Sequence, residues 1–395
     1  MSNVKKLGQY FTKDISLQRK ISEFILNDPE IILEPSVGRG DLLGYFSKHC
    51  PKIKFDCYEI DKTIDFIIDT ECIVIGDFLK TKIKKKYKTI IGNPPYIRTK
   101  KGNLYIDFID KCIDLLEDNG ELVFVIPSDF FKLTSAIKTI KKMIDNGTIT
   151  HIYHPHNENL FENASIDVII FRYCKDKSLE KQVMYNDKLL YIVESGGLLS
   201  FSKTKDNDKT ALNELFNVYV GMVTGREAVY KNEELGNISL LNGENKIDKY
   251  IFIKKFPSKD PKINEYLLEY KEVLINRKIK KFKESNWFEW GAPRNIKVMQ
   301  SNKGKECIYV KNLTREKKVA FKKKVMYFGG SLLMLVPKQD NLDLDKIINI
   351  LNSDEVMKGY TYSGRFKIGH RQLSSLRLSS SFNQYFIQFL NPLLR

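Results

Sequence analysis

The segment Asn93-Pro94-Pro95-Tyr96 follows directly on the apolar run Ile90-Ile91-Gly92. Adjacent prolines freeze two φ angles and remove two backbone donors, so their surroundings are held rigidly. The side-chain oxygen of Asn93 and the main-chain carbonyl of Pro94 then become two acceptors in a fixed relation. Such a pair suits an exocyclic amine on an aromatic base. The lone pair of that amine is delocalised into the ring, and acceptors fixed at its two protons let the nitrogen pyramidalise toward an electrophile. Tyr96 adds a flat face on which the base stacks. Neither acceptor titrates near neutrality, so loss of the proton follows attack.

Three other stretches carry acids at the ends of apolar runs. "ILEPSVGRGDLL" reads as strand, glycine loop and helix, with Glu34 and Asp41 on either side of Gly38 and Gly40. The third glycine of a dinucleotide fingerprint is missing, and the flanking acids repel a pyrophosphate but welcome an ammonium group. "CYEID" places Glu59 about twenty residues past the glycines, where a carboxylate grips ribose hydroxyls. "GDFL" offers Asp77 to an adenine amine, with Phe78 beside the ring. Either acid alone reads as an ordinary loop residue. As an ordered set they describe S-adenosylmethionine better than NAD or ATP.

Strand ends must position these groups. From about residue 31, the apolar runs "IILEP", "KFDCYEI", "CIVIGDF", "TIIGNPP", "LVFVIP", "HIYH" and "DVIIFRY" alternate with amphipathic stretches. That alternation predicts an α/β fold, a doubly wound and mostly parallel sheet with helices on both faces and ligands at the C-terminal strand ends. "YIDFIDKCIDLLEDNG" predicts a helix with Ile106, Ile109, Ile113 and Leu116 on one face, ending at Asn119-Gly120. After about residue 175 the alternation is lost. A boundary is expected at residues 175–185, with "KDKSLEKQ" as linker, dividing the chain into residues 1–178 and 179–395.

Charge divides the chain in the same way. The 395 residues carry 65 basic and 49 acidic side chains, a net +16. Residues 1–175 hold 26 basic and 24 acidic, leaving 39 and 25 in the remainder, so +2 is followed by +14. An excess confined to one half points to an acidic polymer as its partner. The six cysteines are scattered and never spaced as Cys-x-x-Cys, which argues against a disulfide framework or a zinc site. No apolar run reaches membrane-spanning length and the N-terminus lacks a signal core, so the protein is expected to be cytoplasmic and off the membrane.

Taken in order, "LGQYFT", "ILEPSVGRGDLL", "YEID", "GDFL" and "GNPPY" resemble the gamma-class DNA adenine-N6 methyltransferases of restriction–modification systems, over the whole N-terminal domain. The resemblance implies a cofactor-closing segment over residues 1–28, a class I S-adenosylmethionine-dependent methyltransferase fold, and a basic α+β target-recognition domain after it. It also implies transfer of a methyl group to the N6 amine of an adenine flipped out of double-stranded DNA. By the same resemblance, Thr12 and its neighbours Gln9, Tyr10 and Phe11 would cover the methionine part of the cofactor, and Glu34, Pro35, Ser36, Gly38 and Gly40 would line its other side. Glu59 with Ile60 would hold the ribose, and Asp77 with Phe78 the adenine. Asn93, Pro94 and Tyr96 would hold the target base, and Phe161 in "NENLFENASIDVIIFRY" would stack on its other face, although a core phenylalanine fits that position as well. Ser36-Val37 stands where small residues are usual, and Arg39 lies within the loop. A monomer is expected, needing no metal and acting apart from any cognate restriction endonuclease.

For reading DNA, "VGMVTGREAVYK" resembles a stretch recurrent in such recognition domains, with Thr224 and Arg226 flanking Gly225 in a turn. "YSGRFKIGHRQLSSLRL" gathers Arg365, Lys367, His370 and Arg371, and Arg315 joins them as a candidate. "NRKIKKFKESNWFEWG" is basic and then aromatic. A lysine run is most often a solvated face. Two other readings stay open: methylation of RNA adenine or of a protein glutamine amide, and a DNA-binding module that keeps the fold without activity. "HIYHPH" lacks an acidic or cysteine partner at ligand spacing, so His151, His154 and His156 are not read as a metal site. No Pro-Cys nucleophile of a cytosine-C5 methyltransferase occurs, and no acid-acid-lysine nuclease core is found.

Overall fold

The computed structural model describes residues 8–99, 102–161, 165–203, 210–362 and 364–378. The chain divides into two compact units, Met1–Asn207 and Asp208–Arg395.

The first unit is built on strands β1 (Ile31–Glu34), β2 (Lys54–Glu59), β3 (Ile73–Ile75), β4 (Tyr87–Gly92), β5 (Leu116–Pro127), β6 (Thr148–Tyr153), β7 (Val168–Cys174), β8 (Gln182–Tyr185), β9 (Lys188–Ser195) and β10 (Leu198–Ser202). They form one sheet in the order β10-β9-β8-β6-β7-β5-β4-β1-β2-β3. The stretch from β5 to β3 is parallel, whereas β7 runs antiparallel to both β5 and β6. The expected sheet is therefore present, but it is mixed, and its parallel half is the half that carries the motifs. Strand order reverses between β1 and β4, which opens a crevice at their C-terminal ends.

Residue parity along the strands feeds two separate cores. On β5, Leu122, Phe124 and Ile126 join Ile106, Ile109 and Ile113 of helix α3 (Leu104–Leu115) and Ile140 and Met143 of α4 (Ile137–Asn146). Val123 and Val125 point the other way, to Leu17 and Ile21 of α1 (Ile15–Glu23) and Leu42 and Phe46 of α2 (Asp41–His49). Both faces of the central strands are thus apolar, and each fully buried aliphatic side chain contributes about 1.5–3 kcal/mol. Helix α3 stops at Leu115, one residue short of the expected face. Leu116 already begins β5, and Asn119 takes a positive φ of 62° inside that strand segment.

The boundary expected after residue 178 is displaced. β8 pairs parallel to β6, and the β8–β10 meander extends the sheet, so the first unit runs to Asn207 and "KDKSLEKQ" connects two strands of one sheet. The charge division survives the shift. Residues 208–395 hold 34 basic and 20 acidic side chains, again +14.

The second unit centres on an antiparallel sheet of β11 (Phe216–Val220), β12 (Glu306–Lys311), β13 (Ala320–Lys324) and β14 (Leu332–Pro337) in the order β11-β14-β12-β13. One of its cores is rich in aromatic residues, including Tyr230, Trp287, Phe288 and Trp290. The aromatics of "NWFEW" are therefore interior groups, not a stacking surface: Trp287 and Trp290 are 3% and 1% exposed.

Candidate active site

A cleft with about 950 Å³ of empty space opens at the C-terminal ends of β1, β2, β3 and β4. It is lined by Tyr10, Thr12, Glu34, Pro35, Ser36, Gly38, Glu59, Ile60, Asp77, Phe78 and Asn93. Those positions span 84 residues of sequence, and the sheet brings them to one edge. Gly40 is not in the wall. It is left-handed, with φ 92°, at the start of α2, and a Cβ there would lie 2.4 Å from Ile68.

Glu59 is committed to the loop before any ligand arrives. Gly38 N–H donates to its Oε2 at 2.8 Å, and Ile60 and Asp61 N–H both donate to Oε1 at 2.9 Å. A carboxylate offers about four acceptor positions, so room for one further donor remains, on Oε2. Burial raises the Glu59 pKa, and the three backbone donors oppose that shift. Asp77 moves the other way. Burial raises its pKa, but the hydrogen bond and charge of Lys80, 3.0 Å away, together with backbone donors, outweigh it and leave a net lowering.

Glu34 is 2% exposed and its Oε2 has no hydrogen-bond partner. Burial, then the charges of Glu59 and Asp41, hold its pKa well above the usual carboxylate value. An unpartnered buried carboxylate in a cleft wall invites a cation. The donor set therefore fits a ligand with positive charge at one end and hydroxyls at the other.

Asn93 borders the same cleft. Its Nδ2 donates to the Tyr10 carbonyl at 2.6 Å and to Thr12 Oγ1 at 3.1 Å, while its Oδ1 is buried without a partner. The amide is thus turned so that the acceptor is left over. Tyr96 hangs from the neighbouring strand, its hydroxyl donating to the Val125 carbonyl at 3.1 Å. Phe161, 4% exposed, packs into the core between the sheet and α1 and meets Tyr96 edge-on at 6.3 Å and 80°. Perpendicular rings at that distance cannot sandwich a base, so the expected stacking on both faces is not the geometry seen.

Several contacts escaped the sequence reading. Gln9 Nε2 donates to Asp61 Oδ2 at 3.1 Å and ties the N-terminal segment to the loop after β2. Lys111 of α3 donates to the carbonyls of Phe78 and Thr81, and lies 4.5 Å over the Phe78 ring. Phe108 stacks on Phe78 at 5.4 Å and 22° and also lines the cleft. His154 does have an acidic partner, brought from thirteen residues away: its Nε2 lies 2.8 Å from Asp167 Oδ1, and Asp167 Oδ2 accepts from Ser128 Oγ at 2.5 Å. This network ties β6 to the ends of β5 and β7. Among the described residues no cluster of three or more metal-ligating side chains is found.

In the second unit, Thr224 is buried and its hydroxyl accepts from Arg226 N–H at 3.2 Å. It shapes a turn. Gly225 needs its φ of 80° there, and a Cβ would meet Ile279 at 2.7 Å. Arg277, buried, holds this turn by donating to the carbonyls of Thr224, Leu274, Trp287 and Glu289. Arg226 itself is exposed. Arg315, Arg365 and Lys367 are exposed on or beside a small three-stranded sheet in which Leu313 pairs with Lys367. His370 and Arg371 begin the short helix that follows, with His370 Nε2 2.9 Å from the Val218 carbonyl. The candidates fall into two groups, one at each of these places.

Residues 45–161 match the family model described as Eco57I restriction-modification methylase. The chain is 32% identical over 197 residues to the type II methyltransferase M.HincII of Haemophilus influenzae, covering 44% of this chain and 38% of that one. To M.AccI of Acinetobacter calcoaceticus it is 26% identical over 214 residues, covering 46% and 39%. The chain thus spans under two fifths of the length of these relatives. A shorter match, 34% over 103 residues, covering 23% and 39%, is to the ribosomal RNA small subunit methyltransferase A of Mycoplasma genitalium. In fold, the chain is similar to a structure of the type IIL restriction-modification enzyme MmeI in complex with DNA, with a TM-score of 0.57 at 11% identity over 94% of this chain and 64% of that one. The N-terminal unit has the strand order of a class I methyltransferase fold, and residues 45–161 within it match the Eco57I restriction-modification methylase model.

Proposed function

We propose that the chain transfers a methyl group from S-adenosylmethionine to the N6 amine of an adenine in a specific double-stranded DNA sequence, as the modification activity of a restriction–modification system. The observation that carries this reading is the Asn93 amide, locked through Nδ2 and left with a buried, unpartnered Oδ1 beside the cleft.

Bound in the cleft, S-adenosylmethionine would supply an electrophilic methyl group on a positively charged sulfur. Glu59 would take a ribose hydroxyl on Oε2, Asp77 the adenine amine, and Glu34 would face the cationic end. Phe78, stacked on Phe108, gives the adenine a fixed apolar wall. On the other side, Asn93 Oδ1 and the Pro94 carbonyl accept the two protons of the target amine and draw its lone pair out of conjugation. Tyr96 holds the base by its face and Phe161 borders it at the edge. A base inside a duplex cannot reach such a slot, so it must be extruded. The +14 of the second unit supplies charge for the phosphates.

The ribosomal RNA relative makes an RNA adenine the second reading, although it aligns with only 23% of this chain. Incubating the protein with S-adenosylmethionine, unmethylated genomic DNA and total RNA, then mapping N6-methyladenine by single-molecule sequencing, decides between them. One enriched DNA motif is expected. Methylation found in RNA alone would overturn the reading.

A further inference from the structure

The rings around Tyr96 are not equivalent. Tyr105 and Phe161 meet it edge-on, with centroids at 6.0 Å and 6.3 Å and planes at 81° and 80°. Tyr10 lies over it nearly parallel, at 5.4 Å and 26°, and among the described residues it is the one ring stacked on Tyr96. Tyr10 also reaches Phe161, at 5.9 Å and 55°. Its main-chain carbonyl meanwhile receives Asn93 Nδ2. A planar base stacked on Tyr96 within reach of Asn93 would need the surface that Tyr10 covers.

We propose that Tyr10 gates the target-base site, its ring holding the face of Tyr96 that the base uses and turning aside as the base enters. The inference rests on the methyltransferase reading above. Its geometry places the movement in the side chain. On either side of Tyr10 the segment is pinned: Gln9 to Asp61 at 3.1 Å, and Thr12 both to Asn93 and, through its carbonyl, to Gln18 Nε2 at 2.6 Å. Gly8, with φ 63°, passes so close to Ile97 that a Cβ would lie 2.5 Å from it. The backbone that lines the cofactor cleft and turns the Asn93 amide therefore stays, while the ring exchanges one stacking partner for another. Tyr96 keeps an aromatic neighbour throughout, so the slot neither collapses nor fills with water.

The test uses a duplex with 2-aminopurine in place of the adenine mapped in the sequencing experiment, since its fluorescence rises when the base leaves the stack. Removing the competing ring should raise the extruded fraction at saturating protein. Tyr10→Ala should do so about three- to tenfold, the worth of one aromatic pair. Tyr10→Leu keeps apolar packing without stacking and should give the same direction, which secures the test if the alanine variant folds poorly. Tyr10→Phe, which keeps the ring, should leave the extruded fraction at that of the unaltered protein. A lower signal in Tyr10→Ala and Tyr10→Leu at equal DNA occupancy would show that the ring supports the base, and an unchanged signal that it lies outside the base's path; either overturns the proposal. If the unaltered protein methylates no adenine and binds no S-adenosylmethionine by calorimetry, the underlying reading fails, and the proposal with it.

Discussion

The two units use charge and burial in opposite ways. In the first, nearly neutral at 31 basic against 29 acidic residues, polar groups are few at the cleft and individually placed, with Glu34, Glu59 and Asn93 each fixed by burial or backbone bonds. In the second, 34 basic residues face 20 acidic ones, and the candidate cations Arg226, Arg315, Arg365, Lys367 and Arg371 stand exposed on turns and short elements. The difference follows from the tasks proposed. Moving a methyl group demands atoms at fixed separations, which strand ends provide, whereas following a polyanion needs only summed field and adjustable side chains. Among the described residues of the second unit, the buried Arg277 is the exception, and its four carbonyl partners make it architectural.

The sharpest way to break the contrast is at Asn93. Asn93→Ala should lower the methylation rate about 10²–10³-fold, as loss of one preorganised group does, while cofactor binding measured by calorimetry persists. A rate within twofold of the unaltered protein would remove fixed placement from the explanation. Arg277→Ala should cost on the order of 3 kcal/mol of stability, by leaving buried carbonyls unpaired, and should show as a lower unfolding midpoint of the second unit. If only DNA affinity falls, Arg277 belongs with the exposed cations after all.

Glu34 gives a smaller effect with a defined sign. Its folded pKa is raised, so the folded protein keeps a proton that the unfolded chain releases, and stability is lost as pH rises from the ordinary carboxylate range toward the folded value. Glu34→Gln should therefore raise the Tm of the cofactor-free protein at neutral pH and leave it little changed near about pH 4. An equal shift at both pH values would refute the assignment to ionisation. Smallest are the surface cations. Lys367→Ala or Arg371→Ala should each reduce the slope of log affinity against log salt for plasmid DNA by about one, without altering the methylated motif. A changed motif would instead mark that residue as a reader of bases.

What was legible in the amino-acid sequence is what is local. Each acid at a strand end, and Asn-Pro-Pro-Tyr itself, is a few residues long, and parallel-sheet topology carries them to one edge whatever the loops between them do. The contacts that escaped join distant positions. Tyr10 stacks on Tyr96 and Gln9 reaches Asp61, and no spacing announces either. The boundary was misplaced because the charged stretch "KDKSLEKQ" reads as a linker, although the apolar residues 189–193 just beyond it belong to the same sheet, at its edge. In "NWFEW" the sequence shows aromatic residues after a basic run without showing where they lie, and the second unit's core shows that they are interior. Thr224 was read as a contact for the same reason that makes it a turn former: its hydroxyl bonds backbone two residues on.

Glu121, in the middle of β5, takes Arg172 Nε at 2.7 Å, Thr89 Oγ1 at 2.9 Å and the N–H groups of Leu26 and Asn27 just beyond α1. The far end of the N-terminal helix is thereby moored inside the sheet, while Asp14 caps its near end, two residues from Thr12. Residues 8–12 are consequently on a short, stiff tether. The proposed swing of the Tyr10 ring therefore starts from and returns to one fixed backbone, at a high effective concentration and with no diffusive search.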